Sequence, residues 1–335
     1  MPGTGADDVA GVIPYAAIPQ AYDPPGHVVA TANQRPVGPS YPYYIGTAAD
    51  DFDPGYRASE EYAYLDARTA MQPASAAALQ TSLTDRLAVR IVPQLLAALR
   101  HRKLTADQQQ AAQLLAGWNH SMTEASPAAS IWWTFWTDYV SAVFRPWWIA
   151  QKVPVHLDRF GLAATAGLAS LDEVLEEWTL NDQSNPAFTA PGGRPRNSAA
   201  VMLAAFGTAV SHLRAKLGGG PGSWAWGRLH SRQFPSLTGA AALGYGPRAS
   251  GGDPWTVDAA EGGMTSVVGP SWRMITGWAR SGDAVAEGIY PGGQSENPAS
   301  PWYDNLVADW WDGKYLPMPP SGGYATGPIR WELRP

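Results

Sequence analysis

YDPPGHVVATANQRPVGPSYPYYIGTAADDFDPGYR, residues 22–57, is the stretch on which the reading of this chain turns. Pro24 and Pro25 form a turn, and His27 to Ala32 reads as a short apolar strand. The prolines at 14, 19, 24, 25, 36, 39 and 42 forbid helix around it. Asn33 stands at the strand end, where a buried amide must satisfy both its NH2 group and its carbonyl. Arg57 is set by the turn Asp53-Pro54-Gly55-Tyr56. A short neutral donor held beside a fixed cation suits a site that receives developing negative charge. Taken alone, an Asn near a turn is a turn residue.

Working outward, 335 residues allow one large domain or about two to three smaller ones. An apolar fraction of 45% permits a sizeable core, and only 16% of residues are charged. Sixteen tryptophans and fourteen tyrosines make an aromatic interior whose N–H and O–H tips need partners. That usage fits substrate pockets and large subunit contacts, and equally the Ala, Gly, Pro and Arg preference of a GC-rich genome. A net charge of −6 lacks the basic footprint that nucleic acid requires. The absence of cysteine excludes disulfides, thiolate catalysis and cysteine-based zinc sites. MPGTGADDVAG has neither the basic region nor the apolar run of a signal peptide, and no stretch approaches the ~18 apolar residues of a membrane span.

The expected organisation is a small polar tail over 1–12, read as disordered, and an extended segment over 13–57. A mostly helical part follows over 58–217, then a return to strands and loops over 218–335. Thr105-Ala-Asp-Gln108 and Ser170-Leu-Asp-Glu173 have the capping-box pattern. Met202, Phe206, Ala209 and Leu213 stripe a helix that stops at Gly218-Gly219-Gly220. Leu83, Leu87, Ile91, Leu95 and Leu99 recur every four residues, with Pro93 expected to kink or split their helix. Trp224 to His230 alternates like a strand, and Trp255–Asp258 and Ser271–Thr276 read as further strands. The fold class is α+β, a helical insertion carried on a sheet whose two parts meet in space.

Several motifs lead nowhere further. The histidines at 27, 101, 120, 156, 212 and 230 show no metal spacing, and no GxSxG, P-loop or dinucleotide fingerprint is present. Asp50-Asp51-Phe52-Asp53-Pro54-Gly55 is either an oxygen-ligand calcium loop, without its bidentate Glu, or a turn leading into a helix. His230 is either a base or a hydrogen-bonded structural residue. Trp132, Trp133 and Trp136 are either walls for an apolar group or core.

Four blocks in order carry a family likeness: Ile13-Pro-Tyr to Asn33; Asp53-Pro-Gly-Tyr-Arg57; Trp224-Ala-Trp-Gly-Arg-Leu-His230; and Gly293-Gln-Ser-Glu-Asn-Pro-Ala-Ser-Pro-Trp-Tyr-Asp304 with Trp311-Asp-Gly-Lys-Tyr-Leu-Pro-Met318. Over nearly all of 13–319 the chain resembles the later two-thirds of the large subunit of the penicillin acylase family, N-terminal-nucleophile amidohydrolases. The resemblance implies part of an αββα sandwich with a large helical insertion. It implies hydrolysis of a linear N-acyl amide through an acyl-enzyme, with a serine whose own amino group is the base. It implies that Asn33 holds the oxyanion and that Arg57 orients Asn33 and the amino terminus. It implies as partners the N-terminal portion or small subunit that bears the serine, and a small-molecule amide such as a penicillin, a lipopeptide or an acyl-homoserine lactone. Nucleic acid and membrane are not expected partners. Family members are commonly exported, and the compartment of this chain stays open.

The chain departs from the family pattern in three ways. No serine segment is found upstream of the first block, so this chain by itself is expected to be inactive. Gln34 replaces a second Asn. Some members hold a structural calcium, but Tyr43, Tyr44 and Ile45 follow Tyr41-Pro42 and supply no carboxylate, so no cofactor or metal is assigned. The competing readings are an inactive aromatic-rich binding module and a gene remnant.

Overall fold

Helices start where a side chain can take up backbone N–H groups that have no partner within the helix. The computed structural model describes Thr4 and residues 11–46, 52–153 and 169–318. Among these, α1 spans Tyr56–Asp66, α2 Pro73–Gln80, α3 Arg86–Leu99, α4 Ala106–Ala116, α5 Pro127–Ala150, α6 Ala169–Asn181, α7 Ser198–Leu217 and α8 Val307–Trp311. Thr105 and Gln108 form the reciprocal capping box of α4. Asp85, Ser126 and Asn197 cap α3, α5 and α7 through their side-chain oxygens. Gly218, at φ 64°, ends α7 in the left-handed region where a Cβ would be strained. The expected cap at Ser170 lies outside the described side chains, and the expected tail over 1–12 lies almost entirely outside the described residues.

The core lies among the helices. α5 packs along α7. Trp132, Phe135, Trp136 and Tyr139 of α5 are buried, as is the whole stripe Met202, Phe206, Ala209 and Leu213 of α7. Phe135 meets Phe206 edge to face, with ring centroids 6.5 Å apart. The polar tips are satisfied inside this packing. The Trp132 Nε1–H donates to Asp85 Oδ2 at 2.6 Å and the Trp136 Nε1–H to Asp172 Oδ1 at 2.7 Å.

Two small sheets follow the helices. β1 (Ser231–Phe234) pairs antiparallel with β2 (Tyr245–Ala249) and parallel with β3 (Thr265–Ser266). β4 (Arg273–Trp278), β5 (Ala284–Ile289) and β6 (Leu316–Pro317) make an antiparallel sheet of order β4-β5-β6, with Arg273 opposite Ile289 and Trp278 opposite Ala284. Period-two alternation turns Arg273 into the protein while Met274 and Trp278 stay exposed.

Four local expectations are corrected. His27–Ala32 is not a strand. Left-handed His27 (φ 54°) and Asn33 (φ 65°) bracket it, and in place of a ladder it makes single bonds such as Ala32 N–H to Gln34 Oε1 and the Tyr62 O–H to the Ala30 carbonyl. Trp224–His230 is not a strand either. A 3-10 turn spans Trp226–Arg228, held because the Trp224 and Trp226 indoles donate to the carbonyls of Gly218 and Gly252. Trp255–Asp258 is a turn around Asp253, whose Oδ1 accepts from Trp255 N–H. Of the two effects expected of Pro93, the split does not occur: α3 runs unbroken through it from Arg86 to Leu99.

Phe206→Ala empties a fully buried site and should cost about 3–5 kcal/mol, read as a lowered urea midpoint. A second expectation concerns pH. Burial pushes Asp172 up to about 8 from the ordinary 3.8, so between those values the folded state holds a proton that the unfolded state has released, and stability falls as pH rises. Burial lowers His230 to about 4 from 6.5, so its contribution is lost as pH falls through that lower window. Stability should therefore decline between about pH 6.5 and about 8, where the histidine no longer titrates. Asp172→Asn should flatten that decline in thermal melts.

Candidate functional site

Asn33 and Arg57, twenty-four positions apart, meet: Arg57 Nη2 donates to Asn33 Oδ1 at 2.9 Å. The left-handed backbone at Asn33 is one that Asn tolerates better than most residues. The Asp53 N–H donates to the Asn33 carbonyl at 2.9 Å and draws the two ends of the loop together. Arg57 sits in the first turn of α1, where a cation opposes the helix dipole. Asp53, one turn earlier, offsets this by pairing with the same Nη2.

The contact fixes the direction of the amide. A guanidinium has donors only, so the Asn33 atom facing it must be the oxygen. The Nδ2 donor therefore points away from Arg57, and Asn33 is exposed. The cation itself is largely enclosed, with its side chain 14% exposed. Its charge is met by Asp53 and by Glu61 and Glu261, two carboxyls that burial pushes up and Arg57 pulls back down. The donors the pair leaves free are the exposed Asn33 Nδ2–H and the Arg57 Nε–H, the latter buried with no hydrogen-bond partner among the described residues. The sequence reading took Asn33 for a buried amide; the structure puts it at the surface, because the segment before it has no ladder partner.

Further residues hold the turn. Tyr56 is buried, its O–H donates to Glu176 Oε2 at 2.9 Å, and its ring meets Trp255 edge to face at 5.6 Å. Burial and Glu176 together push the phenol up. Glu176 pairs with Arg90 at 2.5 Å, and Glu173, pushed up by burial, is drawn back down by the Gly55 backbone at the start of α1. Glu173 and Glu176 were missed from sequence. They lie on α6, some 120 positions from the turn, and only the pattern EVLEE on a helix edge hinted at them.

The other candidates fall elsewhere. His230 is buried and neutral, its Nδ1 bonded to the Ser250 carbonyl at 2.9 Å and its ring stacked on Trp226. It is structural. Trp132, Trp133 and Trp136 are buried in the helical core. Among the described residues no three His, Asp or Glu groups come together as a cation site; Asp53 is engaged by Arg57, and Asp50 and Asp51 of the aspartate-rich turn lie outside the described residues. No serine, threonine or histidine among the described residues bonds to Asn33 or Arg57.

The sequence model of the family described as Penicillin amidase matches residues 1–322. The chain belongs to the penicillin amidase family. A protein named acyl-homoserine lactone acylase QuiP from Pseudomonas fluorescens Pf-5 is 24% identical over 320 residues, 90% of this chain and 38% of that protein. Penicillin acylase 2 proenzyme of a Pseudomonas species, strain SE83, is 28% identical over 342 residues, 95% of this chain and 40% of the proenzyme. The chain thus spans about two-fifths of the length of these relatives. The fold matches that of a thermostable penicillin G acylase from Alcaligenes faecalis, with a TM-score of 0.61 and 16% identity over 97% of this chain and 60% of that one. This penicillin amidase chain is accordingly an α+β protein of that fold.

If Arg57 pins the loop, Arg57→Ala should speed amide hydrogen exchange at residues 31–35 and 52–57 and leave α5 and α7 unchanged. Exchange mass spectrometry resolves the two regions.

Proposed function

We propose that this chain supplies the oxyanion-holding part of an amidohydrolase that cleaves an N-acyl amide. A nucleophilic serine attacks the amide carbonyl, the amine leaves with a proton, and water releases the acyl group from the serine ester. The Asn33 Nδ2–H is the donor to the tetrahedral oxyanion. Arg57 is a positioning residue: it takes up the amide oxygen, so that only the donor end of Asn33 can face substrate. The serine is assigned to a segment outside these 335 residues, on this polypeptide or on another. The relatives' names, a penicillin acylase and an acyl-homoserine lactone acylase, point to an acyl group on a small cyclic amine as the substrate class.

The observation that carries this reading is the Arg57–Asn33 contact, which leaves one oriented, uncharged, solvent-facing donor. Co-expression of the chain with the serine-bearing portion of a relative tests it. The complemented protein should hydrolyse an N-acyl amide, and the chain alone should not. Asn33→Ala in the complemented protein should lower kcat by about 10²–10³ with little change in KM, the signature of an interaction made in the transition state. Turnover unaffected by Asn33→Ala would sink the assignment. Ligand binding without turnover would favour a binding module.

A further inference from the structure

The basic run Arg100-His101-Arg102 follows α3 and faces the start of α7 across a cavity of about 450 Å³. That volume lies in the ~300–1,000 Å³ range of small-molecule sites. No acidic side chain lines it, in a chain whose net charge is −6. Neither arginine nor His101, all three exposed, is in an ion pair among the described residues. On the opposite wall the first turn of α7 has donors to spare. The Ser198 N–H is taken by the Gln183 carbonyl and the Ala200 N–H by Asn197, which leaves the Ala199 N–H open to the cavity. Ser198 is 1% exposed, lines the cavity, and its hydroxyl makes no hydrogen bond with any described residue. Its Oγ is not among the sealed side-chain atoms that lack a partner, so it opens to the cavity and can donate to or accept from a ligand head. The floor is apolar, formed by Ala98 and Met202.

We propose that this cavity binds a small organic anion, with a carboxylate or phosphate head between Ser198, the α7 first turn and the two arginines, and an apolar body over Ala98 and Met202. Helix N-termini and guanidinium forks both favour such heads. The site involves neither Asn33 nor Arg57, so its test is independent of amide hydrolysis.

The experiment is calorimetric titration of the purified chain with benzoate, with phenyl phosphate and with inorganic phosphate. Saturable binding of one aromatic anion, with a dissociation constant of about 1 mM or tighter, supports the site, and the probe that binds identifies the head. Ser198→Ala and the double variant Arg100→Ala/Arg102→Ala should each weaken that binding about tenfold or more while the thermal midpoint holds. Equal affinity for inorganic phosphate and the aromatic anions would overturn the proposal, because the apolar floor would then contribute nothing. So would the absence of saturation with every probe, or binding that both variants leave unchanged.

Discussion

An indole N–H taken out of water gains from an acceptor, and in the helical half of this protein Trp132 and Trp136 tie three helices together by finding one, whereas the buried Trp133 Nε1–H of the same helix has none among the described residues. Trp132 and Trp136 of one helix reach carboxylates on two others, Asp85 at the start of α3 and Asp172 on α6. Those acids can sit in the interior because they are bonded, and burial pushes both up. Asp253 lies close to Asp85 and is pushed well up by burial and by that neighbour's charge. The same acidic seam continues through Glu176 to the Tyr56 hydroxyl. Through it the core decides where α1 begins, and hence where Arg57 points.

The sequence carried those features whose cause is local. The capping box at Thr105 and the glycine stop after α7 each depend on residues within four positions, and both stand where the pattern puts them. The α7 stripe is equally direct, since every residue in it is buried. What failed was the reading of short apolar runs. His27–Ala32 and Trp224–His230 have strand-like composition, but a strand exists only with a neighbour, and these runs bond instead to nearby loops and carbonyls. The depth of Asp85 was also out of reach. Its cap is local, but its full burial depends on an indole 47 positions away.

The pairing of Asn33 with Arg57 was legible in kind, because a family likeness placed the two residues in one string. Its orientation was not. That follows from the chemistry of the guanidinium, which offers donors alone and therefore selects one end of the amide. The carboxyls around the cation came from segments no short motif includes, Glu61 one turn along α1 and Glu261 far down the chain. Burial raises both and Arg57 pulls both back down, so the cation sits among several carboxyls rather than alone.

The distribution of the sixteen tryptophans has an optical consequence. Trp132, Trp224 and Trp226 are sealed in the interior, whereas Trp278 at the end of β4 is 81% exposed and Trp272 beside it 49%. Sealed indoles emit toward the blue and hydrated ones toward the red. The intrinsic fluorescence of this protein is therefore a composite, in which loosening of the helical layer moves the short-wavelength component while the hairpin's contribution stays constant.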